Sequence, residues 1–201
     1  MNAIGAVVLA AGSSSRMGAD KLLLPLAGKP LVRHAVEAAA KSRATPVMVV
    51  IGHAGAQIAA ALGGLDVCFV ENKEFSEGLS TSLVCGLKTL PMECHGAAIL
   101  LGDMPFVAPH LIDALIAAFD PAHGRSICIP TFQGRRGNPV VWARELFPEI
   151  MALQGDAGAK RLIGAHAKLV CEVEAADDGV LFDIDTREDL VALAARANKL
   201  P

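Results

Sequence analysis

The sequence predicts an α/β fold: an open, mostly parallel sheet with helices on both faces, formed as a single domain over residues 1–201. Two observations carry that expectation. Short apolar runs bounded by glycine or proline alternate with longer stretches of helical period, the pattern of strands joined by crossover helices. The chain is also 53% hydrophobic and 19% charged over 201 residues, enough to bury one sizeable core against the entropy of the chain, and no repeat or linker-like tract divides it.

Val7 to Ala10 reads as the first strand. Pro30 to Lys41 follows as a helix, with Leu31, Val32, Ala35, Val36 and Ala39 on one side. Val47 to Ile51 is the second strand and Gly55 to Leu62 its helix. Val67 to Val70 is a third strand, then come a helix near Thr81 to Thr89, the apolar strand Ala97 to Leu101 and a helix from Pro109 to Phe119. Beyond these βα units the pattern is less regular. Ser126 to Ile129 and Val140 to Ala143 are expected as strands around a turn-rich segment, Ala157 to His166 as a helix, Leu169 to Val173 as a strand and Glu188 to Ala197 as a closing helix.

Composition removes several function classes. The net charge of -3, with both signs interspersed, provides no basic stripe for nucleic acid or an anionic membrane surface. The N-terminus lacks a basic region ahead of an apolar run, so no signal peptide is expected, and no apolar run is long enough to span a bilayer. The five cysteines, Cys68, Cys85, Cys94, Cys128 and Cys171, show no zinc spacing. Cys68, Cys128 and Cys171 lie in apolar strand-like runs and are expected as buried free thiols, which together with the odd count points to a reducing cytoplasm. The histidines form no triad or metal spacing.

The first strand runs into Leu9-Ala10-Ala11-Gly12-Ser13-Ser14-Ser15-Arg16-Met17-Gly18, followed by Lys21. Small residues let main-chain N–H groups approach phosphate oxygens, and successive amides in a turn form an anion nest. Arg16 offers a fork for phosphate oxygens and Lys21 a point charge, together suited to a triphosphate. The loop is not a Walker A motif, because the Gly28-Lys29 pair is followed by Pro30, and it contains no GxGxxG.

The combined string from Leu9 to Lys21 resembles the signature of nucleotidyltransferases with a Rossmann-like fold, particularly the molybdenum cofactor cytidylyltransferases. The related guanylyltransferases usually carry two glycines where this chain has Ala11-Gly12. The resemblance therefore implies CTP, held by Leu9, Ala10, Ala11, Gly12, Arg16 and Lys21, with molybdopterin as the second substrate.

Nucleotidyl transfer requires a divalent cation, and Mg²⁺ usually takes one or two carboxylates along with phosphate oxygens and water. Asp103, in Leu101-Gly102-Asp103-Met104-Pro105, follows an apolar strand at the end where open α/β sheets bind ligands. Position alone leaves a turn or helix-cap role equally open. The Gly-Asp-Met-Pro string resembles the family's metal motif, which implies that Asp103 binds both metal and nucleotide. Within Phe182-Asp183-Ile184-Asp185-Thr186 the resemblance points to Asp185 as the second ligand for Mg²⁺, or for Mn²⁺ in its place, with Asp183 the competitor.

Glu77-Gly78-Leu79-Ser80-Thr81-Ser82 places hydroxyls at a helix start, where they serve either as caps or as ligands of a nucleotide. The segment resembles the family's nucleotide-contacting stretch at Ser80 and Ser82. The loops containing Arg136 and Asn138, and Asp156 and Lys160, suit an anionic second substrate or are ordinary turns; both resemble loops that lie towards the pterin. Arg16, Lys21 and Asp103 are the expected catalytic residues. A guanylyltransferase of the same cofactor, a cytidylyltransferase of a sugar or polyol phosphate, and a non-catalytic insertion chaperone or nucleotide-binding regulator are the rival readings. A molybdoenzyme that receives the product is the expected protein partner.

Overall fold

The computed structural model describes residues 3–12, 20–184 and 189. In chain order the elements are β1 (Ile4–Ala10), the small hairpin β2 (Pro25–Leu26) and β3 (Lys29–Pro30), α1 (Leu31–Ala40), β4 (Val47–Ile51), α2 (Gly55–Ala61), β5 (Cys68–Glu71), α3 (Leu79–Thr89), β6 (Gly96–Leu101), α4 (Pro109–Ala118), β7 (Ile127–Phe132), β8 (Arg135–Arg136), β9 (Val140–Ala143), α5 (Phe147–Met151) and β10 (Val170–Glu174). The fold is the expected single-domain α/β sandwich.

The main sheet runs β10-β7-β9-β6-β1-β4-β5, with β8 paired to β7. β1 lies parallel to β4 and β6, β4 to β5, and β7 to β10. β9 is antiparallel to both neighbours, β6 and β7. The chain first winds outward from β1 through β4 to β5, then crosses through α3 to β6 on the other side of β1. That reversal opens a crevice beyond the C-terminal ends of β1 and β6, the ligand position of open α/β sheets.

Alternation along β1 explains the layers. Ala6, Val8 and Ala10 point to one face, where they pack with Val32 and Ala35 of α1, Ile58 of α2 and Ile112 and Leu115 of α4. Val7, Leu9 and Ala11 point to the other, against Leu83 and Leu87 of α3 and Phe147 and Ile150 of α5. All seven residues of β1 are buried, which is why the strand reads as a continuous apolar run.

Three expectations change. Residues 157–166 do not form an α-helix; a 3₁₀ turn covers Ala159–Leu162. Just ahead of this segment the Gly155 carbonyl accepts from Ser80 N–H of α3 at 3.0 Å, and within it the bonds Arg161 N–H to Gly158 O and Ile163 N–H to Lys160 O span only three residues. Of the thiols expected to be buried, Cys128 is, but Cys171 is half-buried and Cys68 exposed. Cys171 and Cys68 lie on β10 and β5, the two edges of the sheet, where one flank has no neighbouring strand among the described residues. The seventh strand also runs further than expected, to Phe132. The closing helix expected over residues 188–197 lies outside the described residues apart from Asp189. Among the described residues, no helix is long and apolar enough to cross a membrane.

Candidate functional site

The end of β1 is held open by close backbone approaches. Gly102 N–H donates to Leu9 O at 3.0 Å, and a Cβ at Gly102 would meet that same oxygen at 3.0 Å. At Gly52, after β4, a Cβ would lie 2.6 Å from the Ala11 carbonyl oxygen, so only glycine lets β4's exit pass this close. Gly12 itself borders open space. Leu9, Ala10 and Ala11 are buried and Gly12 is exposed, so the strand surfaces into the crevice at Gly12.

Lys21 begins the 3₁₀ turn Lys21–Leu23, which is capped by Asp20: Leu22 N–H donates to Asp20 Oδ1 at 3.2 Å. This turn sends the lysine across the crevice. Its Nζ lies 2.8 Å from Asp103 Oδ2 and donates to Ile184 O, also at 2.8 Å. Ile184 N–H in turn donates to Asp103 O at 3.2 Å, and the buried Ile184 side chain packs with Leu26 and Leu31. The Asp103 loop, the Lys21 turn and the 183–184 segment are therefore tied together.

Burial raises the Asp103 pKa above the ordinary aspartate value; the Lys21 ammonium opposes the shift and the Asp183 carboxylate adds to it. The other oxygen, Asp103 Oδ1, is buried and has no hydrogen-bond partner among the described residues. A buried carboxylate oxygen without a partner is costly, and a hard divalent cation is a chemically suitable partner for it. The residue thus fits a Mg²⁺ or Mn²⁺ ligand. Among the described residues no group of three or more metal-binding side chains assembles.

Lys160 belongs to the same electrostatic neighbourhood. Burial around its ammonium lowers its pKa below the ordinary lysine value, and Asp183 opposes that shift. Although Lys160 keeps exposed surface, its charge is partly desolvated. Asp183 therefore acts on both Asp103 and Lys160. Arg16 and Asp185 lie outside the described residues.

The other expected residues divide. Ser80 and Ser82 are both buried near the start of α3. Ser82 Oγ accepts from Asn72 Nδ2 at 3.0 Å, and the same amide nitrogen donates to Thr81 Oγ1 at 2.9 Å. Asn72, which the sequence did not single out, thus fastens the start of α3 to the exit of β5. A polar asparagine just after an apolar strand was the available signal. Asp156 is exposed on the loop that docks against Gly78. Arg136 gives both Nε and Nη2 to Glu172 Oε1 at 2.7 Å, so its fork already holds a carboxylate. Asn138 donates its backbone N–H to Val180 O at 2.9 Å, shortly before Ile184.

Comparison with known proteins matches residues 6–169 to the MobA-like NTP transferase domain. Purine catabolism protein PucB of Bacillus subtilis is 34% identical over 91% of this chain and 92% of its own length. Nicotine blue oxidoreductase of Paenarthrobacter nicotinovorans is 29% identical over 93% of this chain and 94% of its own length. The crystal structure of Rv0371c from Mycobacterium tuberculosis superposes with a TM-score of 0.82 at 31% identity, covering 96% of this chain and 99% of that one. Rv0371c has also been solved in complex with manganese, at a TM-score of 0.79 and 28% identity over 96% of this chain and 98% of that one. With the glycine-lined exit of β1 and the Lys21–Asp103 pair beside it, the chain belongs to the MobA-like NTP transferase domain family of nucleotidyltransferases.

Proposed function

We propose that this protein, acting as one domain over residues 1–201, transfers CMP from CTP to the terminal phosphate of molybdenum-loaded molybdopterin and releases pyrophosphate. The observation that carries the reading is the Lys21–Asp103 pair, with the second carboxylate oxygen buried beside it in the crevice and without a hydrogen-bond partner among the described residues. The choice of CTP rests on Ala11-Gly12, and the acceptor on the resemblance of the loops around Arg136, Asn138, Asp156 and Lys160.

In this mechanism an oxygen of the acceptor phosphate forms a bond to the α-phosphorus of CTP. The bond from that phosphorus to the bridging oxygen breaks, and pyrophosphate leaves with the electron pair. A phosphate monoester with a second pKa of about 6 is already largely dianionic at neutral pH, so no strong general base is needed. Lys21 and Arg16 hold the triphosphate and balance the charge gathering on the leaving pyrophosphate. Leu9 to Gly12, Ser80 and Ser82 line the nucleotide's side, while Lys160 attracts the anionic acceptor. Asp103, with Asp185, would hold Mg²⁺ or Mn²⁺, which when bound supplies neutralisation of phosphate charge. The manganese complex of Rv0371c supports a divalent cation here. The proposed setting is the cytoplasm, with a molybdoenzyme receiving the product.

Pyrophosphate release, followed with CTP, GTP or ATP against the molybdenum-loaded pterin and against sugar or polyol phosphates, tests base and acceptor together. Turnover with CTP and the pterin is expected. Efficient turnover with GTP alone would overturn the base assignment, and turnover only with a sugar phosphate would overturn the acceptor. Tight CTP binding without turnover on any acceptor would favour an insertion chaperone.

A further inference from the structure

Cys128 of β7 and Cys171 of β10 stand side by side on neighbouring strands. The strands are parallel, and Cys171 is the register partner of Cys128. Register partners on parallel strands send their side chains to the same face of the sheet. Strand spacing sets their Cα atoms about 4.8 Å apart, inside the range of about 4.4–6.8 Å that a disulfide spans. Packing agrees with this placement: Cys128 belongs to the core cluster that contains Leu111, Ile112 and Leu115 of α4, and Cys171 packs against the same cluster. Both are free thiols.

The pair is asymmetric. Cys128 is fully buried, and burial, followed by the Cys171 thiol beside it, pushes its pKa up to about 12. Cys171 is half-buried on an edge strand whose outer flank has no neighbouring strand among the described residues. An oxidant arriving from solvent therefore reaches Cys171 first, with Cys128 behind it as the resolving thiol.

We propose that Cys128 and Cys171 are a redox-responsive pair that closes to a disulfide on exposure to a small-molecule disulfide oxidant and so fastens β10 to β7. The Cys171 thiolate attacks one sulfur of the oxidant, forming a mixed disulfide and releasing one thiolate. Cys128 then gives up its proton and attacks the Cys171 sulfur, which expels the second thiolate. Two protein thiols are oxidised to one disulfide, the oxidant is reduced to two thiols, and the two protein protons end on those thiols. In a reducing compartment the pair rests as two thiols, so the bond records exposure to oxidant. β10 leads into the turn Asp178–Leu181, where Val180 O accepts from Asn138 N–H, and on to Ile184, whose carbonyl accepts from Lys21 Nζ. The linkage thus anchors the strand from which that segment runs. Neither thiol has a part in the nucleotidyl transfer proposed above, so the two proposals stand or fall separately.

The test is oxidation of the folded full chain by oxidised glutathione, followed by peptide mass mapping and thermal melting. Wild type is expected to yield a peptide linked between Cys128 and Cys171. Its thermal midpoint should lie about 5 °C above that of the reduced protein and return on adding dithiothreitol. Cys171→Ser, treated alike, should show neither change. Cys128→Ala should instead accumulate glutathione at Cys171; because this variant opens a cavity in the core, the wild-type map and Cys171→Ser carry the decision. Glutathione retained at Cys171 of wild type without ring closure overturns the proposal. So does a linkage that forms only in urea, an oxidised midpoint that does not rise, or the same rise in Cys171→Ser.

Discussion

Lys21 Nζ sits 2.8 Å from Asp103 Oδ2, an ion pair that joins the turn Lys21–Leu23 to the exit of β6. The partners are 17% and 18% exposed, so the pair is largely shielded from water while the other carboxylate oxygen has no hydrogen-bond partner among the described residues. That arrangement holds a charge where it is expensive, as expected of a group placed for chemistry.

Replacing Asp103 should therefore separate activity from stability. Asp103→Asn keeps an oxygen for Lys21 but removes the negative charge, and should lower the rate of pyrophosphate release by about 100-fold or more. Because the amide also removes the cost of burying a carboxylate, the thermal midpoint should stay within about 4 °C of wild type. Wild-type turnover in Asp103→Asn would remove Asp103 from the mechanism.

If Lys160 binds the acceptor as proposed, it should set an alkaline limit on that binding. Its pKa is lowered by burial, so the ammonium discharges at a lower pH than an ordinary lysine as pH rises. The KM for an anionic acceptor should accordingly climb below the ordinary lysine pKa of about 10.4. Lys160→Arg should move that rise to higher pH, and Lys160→Ala should raise KM with little change in kcat. A pH profile of KM that is identical in all three proteins would exclude the role.

Glu37 contributes stability that depends on pH. It pairs with Lys29 and Arg33 at 2.8 Å and with Lys41 at 3.5 Å, and the hydrogen bond from Lys29 leads the causes that hold its pKa at about 2 instead of 4.5. A depressed carboxylate stabilises the folded state above its unfolded pKa, and that contribution is lost as pH falls towards the folded value. With Lys29 and Lys41 solvated, the contribution is about 1–2 kcal/mol after screening. Urea unfolding of Glu37→Gln should show this deficit at pH 6 and its progressive loss between about pH 4.5 and 2. A deficit that stays constant across that window would refute the assignment.

Gly78 holds the start of α3 against the 155–156 loop. Its φ is +114°, and a Cβ there would run into the Gly155 carbonyl carbon and come within 2.8 Å of Asp156 N. Gly64 also has positive φ, at +84°, but borders open space. Gly64→Ala should cost about 1 kcal/mol from backbone strain alone, and Gly78→Ala about 2–3 kcal/mol because the loop must also move. Equal losses in chemical denaturation would show that the loop yields freely.

The sequence by itself determined the alternation of strands and helices, the glycine-rich exit of β1 and the placing of Asp103 after β6. Each is a local property: apolar period and turn chemistry depend on residues a few positions apart. Only the tertiary structure decided which segments meet. Nothing in Val140–Ala143 indicates that this strand inserts antiparallel between β6 and β7, because strand order depends on pairing across the whole chain. Residues 157–166 carry a helical pattern, but the bonds from Arg161 N–H to Gly158 O and from Ile163 N–H to Lys160 O close over three residues and leave only a 3₁₀ turn. Arg136 had the composition of an anion-binding loop, yet Glu172 from β10 occupies its fork. For the same reason Lys21 could be chosen as a phosphate ligand from its motif, while its bond to Ile184 O, from a residue 163 positions away, appeared only once the chain had folded.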